Sequence, residues 1–161
     1  MIVPIKRLFE AHLTVTDLDR SIAFYRDVLG LPLAHRVPSR HAAFFWVPAP
    51  ESGMLGLWSV HSSPVSMRLH IAFGVELADV EKSISALLAH GLMPSDGEAP
   101  VQEPVVFCWM PAASIYFRDP DGHSLEFIAM LPHPPRPELG RVTLSEWRKL
   151  QDAPSAGMAE E

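Results

Sequence analysis

His12-Leu-Thr-Val-Thr-Asp-Leu-Asp-Arg-Ser-Ile-Ala-Phe-Tyr-Arg-Asp-Val-Leu-Gly30-Leu31 reads as a short strand followed by a helix. Leu13 and Val15 alternate with His12, Thr14 and Thr16, the period of a half-buried strand. Leu18, Ile22, Tyr25 and Leu29 then recur at helical spacing. Asp17 is placed to cap the helix by accepting from its orphan amides. Gly30 follows the last apolar residue, where a left-handed C-cap favours glycine. The same arrangement returns about 60 residues later. His70-Ile-Ala-Phe is followed by a second run in which Val80, Ile84, Leu87 and Leu88 are apolar, with Asp79 as expected N-cap and Gly91 as C-cap. That period is too long for a solenoid unit and marks a duplicated module.

Three strand candidates follow each helix. They are Leu33–Val37, His41–Val47 and Met54–Val60 in the first half, and Val105–Met110, Ser114–Arg118 and Ser124–Met130 in the second. Arg118-Asp-Pro-Asp-Gly-His123 carries the turn residues of a hairpin. Each module is therefore βαβββ, and the fold class is α+β. The expected organisation is one domain over residues 1–131, with modules at about 8–60 and 67–131. A Pro-rich connector at 132–142, a C-terminal helix at 143–152 and a disordered tail at 153–161 complete it. Thr143 and Glu146 have capping-box spacing at the start of that helix. Of the 16 prolines in the chain, Pro132, Pro134, Pro135 and Pro137 make the connector stiff and extended.

Alternation sorts the chemistry by face. His12 lies with Thr14 and Thr16, and His70 with Ala72 and Gly74. Ser114 lies with Tyr116 and Arg118, and Glu126 with Ser124 and Ile128. Two imidazoles and a carboxylate on corresponding strands suit a divalent transition metal and leave coordination positions for a substrate or oxygen. His35, His41, His61, His90 and His133 fall outside the repeated motif and read as surface or loop residues. His123 reads as part of the hairpin. Phe44, Trp46, Trp58, Phe107 and Trp109 point to a pocket with much aromatic surface.

Global properties narrow the function classes. The hydrophobic fraction of 48% and charged fraction of 20% are those of a globular protein. A net charge of −6 without a Lys/Arg cluster argues against nucleic acid as partner. No apolar run approaches membrane-spanning length, and Met1–Lys6 lacks the layout of a signal peptide. The single cysteine, Cys108, forms no internal disulfide. The cytoplasm is the expected location.

The pattern His-Leu-Thr-Val-x-Asp-Leu-x-x-Ser-Ile-x-Phe-Tyr-x-Asp-x-Leu-Gly-Leu from His12, with Tyr-Phe-x-Asp-Pro-Asp-Gly-His-x-Leu-Glu-Phe from Tyr116, resembles the vicinal oxygen chelate superfamily. That group includes glyoxalase I, extradiol dioxygenases, fosfomycin thiol transferases and bleomycin-resistance proteins. The resemblance spans about Leu8 to Leu131. It implies paired βαβββ modules around a divalent metal (Fe(II), Mn, Zn or Ni), with His12, His70 and Glu126 as ligands. It implies a homodimer in which the ligands are shared between subunits, His12 from one chain with His70 and Glu126 from the other. The family's fourth ligand position falls in Leu55-Gly-Leu-Trp-Ser, which offers no donor. Tyr116 matches a catalytic tyrosine of the dioxygenases and thiol transferases. Thr14 and Ser114 match pocket positions of the thiol transferases, and Trp58 joins them as a substrate-binding residue.

Each specific activity lacks one expected part. The glyoxalase base is missing from Met54–Val60. The thiol transferases' basic loop is replaced by the apolar Val101–Pro111, and the dioxygenases' acid/base His is missing from Val105–Met110. The resulting expectation is a metal-dependent enzyme acting on a small, chelating organic substrate. Ring-cleaving dioxygenation is slightly favoured over a glyoxalase-type lyase or isomerase and over thiol transfer. The non-enzyme alternative is a dimeric drug-binding resistance protein.

Overall fold

A computed structural model describes residues 6–60 and 67–152. His61, expected as a surface or loop residue, and the tail 153–161, expected to be disordered, lie outside the described residues. The chain divides into two compact units, one formed by Met1–His70 with Arg118–Ser124, the other by Ile71–Phe117 with Leu125–Glu161.

In the first unit β1 (Glu10–Val15) leads into α1 (Leu18–Ala23), followed by β2 (Leu33–Val37), β3 (Ala42–Trp46) and β4 (Met54–Ser59). The sheet order is β1-β4-β3-β2. β1 runs parallel to β4, with His12 opposite Gly56 and Thr14 opposite Trp58. β3 is antiparallel to both its neighbours. Leu13, Val15, Phe45, Leu55 and Leu57 are buried together with Ile22 and Tyr25, as the alternating and helical patterns require. Asp17 caps α1 by accepting from the Arg20 amide at 3.0 Å.

The first helix does not run on regularly to Leu29. After Ala23 it widens into a π-helical turn, Phe24–Val28, in which the Leu29 amide reaches the Phe24 carbonyl at 3.1 Å. Phe24 and Tyr25 are both buried. Consecutive residues in a regular α-helix point about 100° apart, so the π turn is the local cost of turning both rings inward. Tyr25 Oη donates to Asp119 at 3.0 Å.

The turn Arg118–Ser124 packs within this unit through a dense polar network. Asp121 accepts from the Thr16 amide at 2.9 Å, from the Thr16 hydroxyl, from Ser21 Oγ at 3.1 Å and from Arg20 at 3.2 Å. His123 is buried. Its Nδ1 accepts from the Leu69 amide at 3.1 Å, and its Nε2 lies 2.7 Å from the Thr14 carbonyl, to which it donates. Burial raises the Asp121 pKa, but the hydrogen bonds from Thr16 and Ser21 and the Arg20 charge outweigh it and hold the carboxyl below the usual range.

A folded pKa below the unfolded one adds stability above the ordinary carboxylate range and loses it as pH falls through the folded value. Asp121→Ala should therefore cost about 1.5–3 kcal/mol at neutral pH, the range for hydrogen bonds to a charged group. Urea melts of both proteins at neutral pH and at pH about 3 check this, and the gap should narrow in acid.

The second module comprises β5 (His70–Gly74), α2 (Leu77–Ala89), β6 (Val105–Phe107), β7 (Ala112–Arg118) and β8 (Ser124–Met130). Its sheet order, β5-β8-β7-β6, repeats that of the first module and is extended by β9 (Arg141–Thr143) beside β6. The fold is thus α+β, two βαβββ modules with a C-terminal helix, α3 (Leu144–Asp152). Thr143 Oγ1 accepts from the Glu146 amide at 3.2 Å while Glu146 accepts from the Thr143 amide at 2.9 Å, a reciprocal capping box. Trp147 is buried in a cluster with Val106, Cys108, Ala113, Leu131 and Leu144. Among the described residues no helix is long and apolar enough to cross a membrane.

Three expectations need correction. Asp79 lies inside α2, and Glu76 is its N-cap, without a side-chain hydrogen bond. Leu77 packs on the Trp147 cluster and draws the helix start forward, which leaves Asp79 in the first turn, where a negative charge still suits the helix dipole. β6 stops at Phe107 because the chain turns there, Met110 N–H to Phe107 O, and Cys108 N–H pairs with Gly140. The connector is not simply extended, since it contains a turn at Pro137–Leu139 and the start of β9. His133 lies in the connector loop as expected, half-buried, its Nδ1 accepting from Trp147 Nε1 at 3.4 Å.

Candidate functional site

β1 projects Glu10, His12 and Thr14 on one face, while Leu13 and Val15 anchor the other in the core. Around His12 the first module builds an aromatic wall. The imidazole meets Trp58 at a centroid distance of 5.6 Å and Phe44 at 6.0 Å, and those two rings stand edge to face at 6.1 Å. Gly56 makes this possible. A Cβ there would stand 2.6 Å from His12 Cδ2 and 3.1 Å from Phe44 Cε1, closer than side chains tolerate. His12 Nε2 faces Glu10 Oε1 at 2.9 Å. Glu10 was missed in the sequence reading, although its position two residues before His12 on a strand signals a shared face.

His70 opens β5 and is exposed. Its Nδ1 lies 3.1 Å from the Ser124 carbonyl. A carbonyl only accepts, so the proton sits on Nδ1, the tautomer in which Nε2 is a metal donor.

In the second module Tyr116 on β7 donates to Glu126 on β8. Glu126 is buried at 3% exposure, and β7 and β8 are neighbours in the sheet. Burial first, then the Glu126 charge and hydrogen bond, push the Tyr116 phenol well above its ordinary value. It therefore stays protonated through neutral and mildly alkaline pH. Phe107 stands edge to face with Tyr116 at 6.2 Å. Ser114 is fully buried on the same face of β7. Its hydroxyl, like the Trp58 indole Nε1, is buried without a hydrogen-bond partner among the described residues.

The sequence-named residues thus fall into two groups, His12 with Thr14 and Trp58, and Tyr116 with Ser114 and Glu126, while His70 stands at the start of β5 beside the Ser124 carbonyl. Among the described residues of one chain, no three His, Cys, Asp or Glu side chains gather closely enough to hold a metal ion. Phe44 and Trp58 stand beside His12 and Phe107 beside Tyr116, while Trp46 ends β3. Trp109 instead lies exposed in the turn after β6.

The sequence model of the glyoxalase/bleomycin resistance protein/dioxygenase superfamily matches residues 7–127. The metallothiol transferase FosB of Lysinibacillus sphaericus (strain C3-41) is 30% identical over 122 residues, covering 71% of this chain and 75% of that protein. An integron cassette protein from the mobile metagenome of the Halifax Harbour sewage outfall superposes with a TM-score of 0.66 at 33% identity, over 78% of this chain and 100% of the other. Lactoylglutathione lyase from Agrobacterium tumefaciens gives 0.63 at 26% identity, over 79% and 96%. With the module order repeated and both motifs inside the matched span, the chain belongs to the glyoxalase/bleomycin resistance protein/dioxygenase superfamily.

Proposed function

We propose that this protein is a metal-dependent enzyme acting on a small organic substrate that presents neighbouring oxygens. The observation that supports it most is the pairing of a buried carboxylate, Glu126, with the protonated phenol of Tyr116. The proposed metal donors are His12, His70 and Glu126, a set suited to Zn, Mn, Ni or Fe(II). Because the described residues of one chain gather no three donors, the site is read as shared in a homodimer, with His12 from one chain and His70 and Glu126 from the other.

The donors fit such an ion. The His70 tautomer leaves Nε2 as the ligating atom, and Gly56 clears space on the His12 side. When bound, a divalent ion supplies Lewis acidity for negative charge developing on substrate oxygens. Tyr116 would hold a proton against such an oxygen, and Trp58, Phe44 and Phe107 would line the substrate's apolar part. Thr14 and Ser114 are the proposed polar contacts. Of the finer reaction classes, ring-cleaving dioxygenation draws on the coincidence of Tyr116 with a three-donor set, and thiol transfer draws on the likeness to the metallothiol transferase.

Metal analysis of protein purified without chelators, followed by turnover on catechols, α-ketoaldehyde thiohemiacetals, and epoxides with thiols, tests the reading. About one divalent ion per site and metal-dependent turnover are the expected results. Tight binding of an aromatic drug by metal-free protein, with no turnover in any metal form, would replace the enzyme by a sequestering protein.

A further inference from the structure

β4 places Gly56 opposite His12, and β1 itself offers a donor. Glu10 and His12 share the exposed face of one strand, with Glu10 Oε1 2.9 Å from His12 Nε2. Nitrogen and carboxylate ligands sit at about 2.0–2.2 Å from a divalent transition ion. Two such donors 2.9 Å apart subtend about 90° at the ion, the angle between adjacent ligands of an octahedral site. Glycine at position 56 keeps that Nε2 edge clear. Phe44 and Trp58 pack on the ring, and a Cβ on Gly56 would stand 3.1 Å from Nε2 itself.

We propose that Glu10 is a fourth protein ligand, binding the same ion as His12 from the neighbouring coordination position. The inference rests on the reading of His12 as a ligand. When bound, the ion would take Glu10 Oε1 and His12 Nε2 as neighbouring donors. The consequence reaches the reaction class. Four protein donors leave two positions of an octahedron, enough for a substrate chelating through two oxygens. They leave none for dioxygen beside it. Glu10 therefore favours Lewis-acid chemistry on the chelated substrate over ring-cleaving oxygenation.

The test is Mn(II) titration of the full chain as wild type, Glu10→Ala, Glu10→Gln and His12→Ala, with bound-water number read from proton relaxation. Glu10 is exposed, so both of its variants should fold, which circular dichroism confirms. Glu10→Ala is expected to weaken Mn(II) binding by more than about 100-fold, beyond the 10–100-fold typical of outer partners, and to add about one bound water at saturation. Glu10→Gln should fall between it and wild type. A smaller loss in Glu10→Ala with unchanged hydration overturns the proposal. If His12→Ala abolishes binding in that case, the metal reading stands without Glu10. If His12→Ala binds like wild type, the metal reading itself fails and Glu10 falls with it.

Discussion

Replacing any one of His12, His70 or Glu126 with Ala is expected to strip the protein of most of its bound metal. Each change removes a donor from a small set, and metal affinity is a collective property of that set. The three variants should differ in what else they lose. His12 and His70 are exposed, so their replacement should leave the fold nearly as stable as wild type. Glu126 is buried and accepts from Tyr116, so its replacement leaves an unpartnered phenol and a small cavity. Glu126→Gln keeps the volume and is the better test at that position.

Elemental analysis after dialysis against trace metal reads the outcome, with His35→Ala as the unaffected control. Near-stoichiometric metal in all three variants would mean that these side chains are ordinary strand residues. Sharing between subunits has its own signature. Chains carrying His12→Ala and chains carrying Glu126→Ala, refolded together, should recover metal in the mixed dimer, because one of its two sites is then intact. Mixed dimers without recovered metal would place each site within one chain.

Tyr116→Phe is expected to lower turnover on the order of 10²-fold or more while leaving metal content unchanged, the range for a lost proton donor. The ring stays, and with it the contact to Phe107. What goes is the hydroxyl that donates to Glu126. Because that carboxylate is buried, metal-free protein should also lose about 1–3 kcal/mol of stability, and bound metal should return part of it. In metal-free protein the phenol, held above its ordinary range by burial and the Glu126 charge, should show no ionisation by ultraviolet absorbance through pH about 9. A Phe variant that turns over at the wild-type rate would reduce Tyr116 to a structural partner of Glu126.

Local pattern was enough for much of this molecule. The alternation in His12–Val15, the helical spacing after Asp17 and the glycines at 30 and 91 depend on residues a few positions apart. They were legible for that reason, and the duplication made each half a check on the other. Ser124–Met130 and Leu33–Val37 fall at the strand limits read from alternation alone. The Thr143–Glu146 capping box closes as its spacing implies.

What the sequence left open depends on partners distant in the chain. The π turn at Phe24–Val28 accompanies the burial of both Phe24 and Tyr25, and Tyr25 meets Asp119 across more than ninety residues. β9 is three residues long, too short to show a period, and forms because β6 presents an open edge to it. Burial of Glu126 against Tyr116 and the approach of Glu10 to His12 are likewise matters of register and rotamer. Alternation says which face a side chain takes. Which groups then meet on that face is set by how neighbouring strands and their packing fix each side chain in space.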